Sequence, residues 1–168
     1  MVVVLIILVL GICNPAGEGD NYNGLYFKQT ELNEMVKSKS LHGLPVRTEH
    51  GSGDAGVIVS TFVRDDGALQ CLLEVNGNTL HDRIAQGFVR DGVAVDLSMG
   101  YTVDVQQTDA ERLRAGQKNT IEVSLVKKGA REGCHIIAME EAGQARLARN
   151  DASKISEKGK AGYFSAFL

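Results

Sequence analysis

The chain opens on its longest apolar run, Val2 to Ile12. The run is rich in β-branched residues and stops at Asn14-Pro15, which predicts a buried strand. A signal peptide is the alternative, but no Lys or Arg precedes the run and no small-x-small cleavage site follows it. It is also too short to span a bilayer as a helix. Residues Asn14 to Gly24, "NPAGEGDNYNG", read as a loop. "TELNEMVK", Thr30 to Lys37, sets Leu32, Met35 and Val36 at the spacing of a short helix. Two strand-like runs follow, Ala55–Val63 and Ala68–Val75, and Arg64-Asp65-Asp66-Gly67 between them marks a hairpin turn. Leu80, Ile84 and Phe88 share one face of a second short helix.

Val93–Val105 reads as a strand with polar interruptions. Thr108-Asp109-Ala110-Glu111 is a capping box opening a brief helix to about Ala115. Thr120–Val126 alternates as a strand does, and "CHIIAM", Cys134 to Met139, makes another. Glu140–Arg149 reads as a helix with its basic residues toward the C-terminal end. From Asn150 the chain is polar until its last residues, "YFSAFL". About seven strands with small helices between them predict an α+β, mainly β fold. The expected form is a closed or partly open β-barrel surrounded by short helices. Residues 1–149 form the domain and 150–168 a polar tail that serves as a linker or processing segment.

Composition narrows the function. The 168 residues carry a formal net charge of -3 with acidic and basic residues interleaved. Without a basic patch, nucleic acid is excluded as an expected partner, and no nucleotide-binding fingerprint occurs. No membrane association and no cofactor are expected. The three cysteines, Cys13, Cys71 and Cys134, are far apart and odd in number. They read as reduced, buried thiols rather than a disulfide framework. No spacing of His, Cys, Asp and Glu suggests a metal site.

Three segments hold candidate chemistry: "LPVRTEH" ending at His50, "DLSMGY" with Ser98, and "IEVSLVKKGAREG" from Ile121 to Gly133. A serine is a poor nucleophile until a neighbouring base takes its proton, and histidine is the usual base. Such a pair also needs a group to orient the imidazole and donors to hold an oxyanion. Glu122 could supply the first, and the glycine-flanked "GAREG" loop the second. Alone, each is more often a surface histidine, a structural strand serine, a solvent-facing glutamate and a solvated turn. His42 reads as an exposed residue, the His81-Asp82 pair has no cluster partners, and Cys134-His135 falls inside an apolar strand.

In order and local context these segments resemble the superfamily of herpesvirus assemblins and tailed-phage prohead proteases, the capsid-maturation serine proteases. "LPVRTEHGSGDAGVIV" resembles the family's histidine block, with glycines that would turn the chain back into the barrel. "VRDDGALQCLLEV" resembles the hairpin that follows. "VDLSMGY" is similar to the phage "SIGF/SIGY" nucleophile block and to the herpesvirus "LSLS" block. "EVSLVKKGAREG" resembles the phage "EVSLV" segment and the herpesvirus glycine-arginine loop.

The resemblance covers roughly Gly43 to Met139. It implies Ser98 as nucleophile, His50 as general base and Glu122 as third member. It further implies an oxyanion site at the Ala130 N–H and Arg131. Glu122 stands where herpesvirus members have a second histidine, and the loop has one arginine where they have several. The chain thus mixes features of both branches.

The implied function is a serine endopeptidase that cuts viral scaffold protein and itself inside the procapsid. The implied setting is the host nucleus or the bacterial cytoplasm, according to branch, and the implied state a homodimer. "NDAS", Asn150 to Ser153, resembles the Ala–Ser junctions that the herpesvirus branch cuts. The rival reading is a non-catalytic viral structural or scaffold-associated β-barrel module. A trypsin-like enzyme is disfavoured by the order of the residues and the lack of "GDSG".

Overall fold

The computed structural model describes residues 3–16, 26–83, 89–90, 94–103 and 118–146. The N-terminal apolar run is strand β1 (Val3–Asn14), laid between two antiparallel neighbours. Ile6, Ile7, Leu8, Val9 and Leu10 are all buried, so both faces of this strand are covered. That is why it reads as a continuous apolar run rather than an alternating one.

Helix α1 (Gln29–Ser38) begins one residue before the expected segment. The Lys28 N–H donates to the Glu31 carboxylate at 2.8 Å, which satisfies one donor that the first turn leaves unpaired. Leu32 and Met35 are its buried residues. Strand β2 (Pro45–Thr48) follows, then the expected hairpin of β3 (Gly56–Val63) and β4 (Leu69–Asn76). In the turn, Asp66 accepts a hydrogen bond from the Ala68 N–H at 3.1 Å.

Helix α2 (Gly77–Arg83) is capped by Asn76, whose side-chain oxygen accepts from the N–H groups of Asn78 and Thr79 at 3.0 and 3.2 Å. Leu80 is buried beneath it. Ile84, Phe88 and the helix expected from Thr108 lie outside the described residues, as do the loop from 17 to 25 and the tail. The remaining strands are β5 (Val89–Arg90), β6 (Ala94–Val103), β7 (Lys118–Val126) and β8 (Ile136–Arg146).

The strands form one mixed sheet in the order β5-β6-β7-β2-β3-β4-β1-β8. Among the described pairs β2 with β7 is parallel and the others are antiparallel. The segment entering β8 ties β6 to β1 across the sheet. Cys134 O accepts from Leu97 N at 3.0 Å, and His135 O accepts from Ile12 N at 2.9 Å. The sheet therefore curls into the partly open barrel expected from the sequence. Val9, Ile58, Leu73, Leu97, Val123 and Leu125 belong to its apolar core cluster.

Two expectations are overturned. The segment from Glu140 is strand as far as Arg146, not helix. Its residues favour a helix, but β1 would otherwise present a row of unpaired N–H and C=O groups. β8 pairs with β1 from Gly11↔Ile136 to Val3↔Arg146 and satisfies them. The second correction concerns the thiols, since Cys13 and Cys71 form a disulfide. Their 58-residue separation concealed that β1 and β4 are neighbours, and the Cα atoms lie 6.3 Å apart, within bonding range. Cys134 is a free buried thiol, as expected, and burial pushes its pKa up to about 12.

Candidate active site

The site is built across one strand pair. In the β6–β7 register Ser98 faces Ser124 and Gly100 faces Glu122. Because side chains alternate along a strand, Leu97, Met99, Val123 and Leu125 fill the core. Ser98, Glu122 and Ser124 then share the opposite face. All three are buried, at 6%, 2% and 0% exposure.

The turn after β2 covers that face. Glu49 and His50 both adopt left-handed backbone angles, with φ of 49° and 56°. The left-handed angles thus fall on Glu49 and His50, and Gly51 closes the turn by donating its N–H to Thr48 O at 2.9 Å. Gly56 serves a different need, since a methyl group there would overlap the Glu74 carbonyl. Left-handed non-glycine residues persist where their surroundings hold them, and here β7 supplies the hold. Glu49 N donates to Leu125 O at 3.0 Å, and His50 N donates to Ser124 Oγ at 3.0 Å. Lys127 N donates to the Glu49 carboxylate at 2.7 Å.

So held, His50 stands between two of the residues singled out from the sequence. Its Nε2 lies 3.0 Å from Ser98 Oγ, and its Nδ1 lies 2.5 Å from Glu122 Oε1. A carboxylate only accepts, so Nδ1 carries the proton and Nε2 of the neutral ring is free to accept from the Ser98 hydroxyl. The hydrogen bond to Glu122 raises the His50 pKa above its usual 6.5. Burial opposes this, while the charges of Glu122 and Glu49 add to it. This geometry can draw a proton from a serine and store it on a stabilised imidazolium.

The expected oxyanion loop follows β7. Ala130 and Arg131 line a cavity of about 330 Å³ together with His50, Ser98 and Glu122. Asp96 anchors the loop by accepting from Gly129 N at 2.9 Å. Arg131 is not the solvated turn residue its composition suggested. It is 4% exposed, with its guanidinium carbon 5.0 Å from the Phe27 ring centre and 5.6 Å from that of Tyr101. Such cation–π contacts fix a cation that has left water. A larger cleft of about 490 Å³ lies between α1 and β7, but no histidine or cysteine lines it.

The other histidines are elsewhere. His135 sits at the barrel seam, where its backbone bridges Asp96. His42 lies in the turn after α1, and His81 lies in α2. Among the described residues no group of three His, Cys, Asp or Glu side chains converges to hold a metal.

Sequence reasoning passed over Ser124 and Gly100. The alternation in "EVSLV" places Ser124 on the same face as Glu122, which is the signal that could have found it. Gly100 is required by close approach, since a methyl group there would overlap Glu122 Oε1. Gly100→Ala should therefore displace the carboxylate from His50. We expect a folded protein whose Ser98 reacts with a fluorophosphonate at least about tenfold more slowly, an effect typical of a lost positioning contact. An unchanged labelling rate would show that the carboxylate does not need this space.

No protein-family model matches the chain, and no curated protein is similar to it. Solved structures are similar in fold. Kaposi's sarcoma herpesvirus protease in complex with a hexapeptide phosphonate inhibitor superposes with a TM-score of 0.55 at 15% identity. That match covers 97% of this chain and 78% of the viral one. The same viral protease in complex with an allosteric inhibitor gives 0.52 at 15% identity, covering 92% and 90%. The phage half of the sequence resemblance has no support among these neighbours. What the likeness does establish is architecture: this chain has the fold of a herpesvirus protease.

Proposed function

We propose that the chain is a serine endopeptidase of the capsid-maturation type, with Ser98 as nucleophile, His50 as base and Glu122 as the group that orients His50. The observation that carries the reading is the placement of one imidazole between the Ser98 hydroxyl and the Glu122 carboxylate. Similarity of fold to a viral protease that takes a hexapeptide phosphonate supports a peptide as substrate. Viral scaffold protein and the chain itself are the proposed substrates, cut inside the procapsid by a homodimer.

In the acylation step Ser98 Oγ attacks the peptide carbonyl carbon as His50 Nε2 takes the hydroxyl proton. The carbonyl oxygen gains the electron pair and is held by the Ala130 N–H, with the Arg131 charge nearby. Collapse breaks the C–N bond, and His50 returns its proton to the leaving amine. Water then attacks the acyl-enzyme by the same route, again with His50 as base.

Incubating the protein with a fluorophosphonate and mapping the adduct by mass spectrometry tests this. A stoichiometric adduct on Ser98 is expected. Its rate should rise with pH through a midpoint above 6.5, because only neutral His50 accepts the proton and Glu122 raises its pKa. A folded protein that forms no adduct would instead be a structural module that keeps the barrel without turnover.

A further inference from the structure

We propose that Ser124 is a positioning residue of this site, whose one hydroxyl fixes both the carboxylate of Glu122 and the backbone of His50. The inference rests on the serine-peptidase reading for its purpose, though its geometry stands independently. Ser124 Oγ donates to Glu122 Oε2 at 2.5 Å and accepts from His50 N at 3.0 Å. A hydroxyl has one proton to give. The His50 N–H can only donate, so that proton is committed to the carboxylate.

Each oxygen of Glu122 is then held by a different partner, Oε1 by His50 and Oε2 by Ser124. The carboxylate cannot rotate without breaking one of the two bonds. The same hydroxyl also holds the second residue of a turn in which Glu49 and His50 are both left-handed. It therefore closes a ring through His50 N, the imidazole, Glu122 and back to Ser124. Serines in strands commonly bond to nearby backbone of their own segment. Here the long-range partner is His50, and the local partner is the carboxylate on which His50 depends.

Ser124 is fully buried, at 0% exposure. No water would replace its hydroxyl readily, and alanine would leave a buried carboxylate oxygen and a buried N–H without their partner. The carboxylate would turn off the imidazole axis, and part of its upward pull on His50 would be lost. The other charged groups around His50, namely Glu49 beside it and Arg47 and Arg131 in the cavity, would be unchanged.

The test compares the full chain with Ser124→Ala, Ser124→Thr and Ser124→Cys. It measures fluorophosphonate labelling of Ser98 and the His50 titration followed by NMR of the imidazole nitrogens. Ser124→Ala should label about tenfold or more slowly, as expected for a lost positioning contact. Its His50 midpoint should fall toward 6.5. Ser124→Thr, which keeps the hydroxyl, should restore both. If Ser124→Ala does not fold, Ser124→Cys fills the volume with a weak donor and decides by the same readings.

Wild-type labelling with an unmoved rate and titration in the variant would overturn the proposal and leave the peptidase reading standing. Absence of labelling in the wild type would sink the peptidase reading instead. The titration alone would then decide on Ser124, a shifted midpoint supporting the positioning role and an unshifted one ending it.

Discussion

Replacing Ser98 with alanine is expected to abolish cleavage of a scaffold-derived peptide while leaving the barrel intact. The nucleophile and its base act as a unit, so loss of the serine should lower kcat by about a million-fold, to what the oxyanion donors alone supply. The fold should tolerate the change because the flanking Leu97 and Met99 hold β6 in the core. The substitution removes one oxygen whose described partner is an imidazole with 45% of its side chain exposed. A stability loss beyond about 1–2 kcal/mol would be unexpected for one such hydrogen bond. Single-turnover assays beside circular dichroism and thermal melts measure both halves. Turnover that survives in the folded variant would remove Ser98 as nucleophile.

Glu122→Gln should have the next largest effect, lowering kcat by roughly 10³–10⁴, as loss of the orienting carboxylate does in serine hydrolases. The amide is nearly isosteric, so the space beside Gly100 still accommodates it. It cannot offer a negative charge to an imidazolium, and its NH₂ group turned toward Nδ1 would enforce the wrong tautomer. The acid limb of the rate profile should move down toward 6.5, because the hydrogen bond to Glu122 is the largest cause of the raised His50 pKa. His135→Ala should change kcat little. Its backbone serves the seam between β6 and β8, and Glu122 already occupies Nδ1 of His50. If the ranking of these two variants came out reversed in folded proteins, the orienting role would pass to His135.

Local signals were legible in the sequence and long-range ones were not. The turn "RDDG" between two apolar runs specified the β3–β4 hairpin, because its interactions close within a few residues. The run from Val2 to Ile12 announced a strand covered on both faces. It did not say that the strand would need β8 along one edge, and so the helix expected from Glu140 gave way to pairing. The Cys13–Cys71 bond was hidden for the same reason, since it depends on which strands are neighbours.

The site shows the same division. Residue type and order singled out His50, Ser98 and Glu122, but their meeting rests on β2 lying against β7, which no spacing reveals. Arg131 looked solvated because its covering rings come from Phe27 and Tyr101, far away in the chain. Ser124 was in plain view, two residues from Glu122, and only its bond to the His50 backbone distinguishes it from any other strand serine.

The parallel pairing of β2 with β7 also governs timing. A hairpin cannot join parallel strands, and here β3, β4, β5 and β6 all intervene in the sequence. His50 lies 48 residues from Ser98 and 72 from Glu122. Contacts over such distances must await loop closure and are slow to form. On the proposed roles, a chain still on the ribosome that has passed Ser98 but not Arg131 carries a serine no more reactive than any on its surface. Nucleophile, base and oxyanion donors become a catalyst only once the barrel is complete. On the same reading topology alone acts as a delay, keeping the proposed peptidase from cutting before it has finished folding.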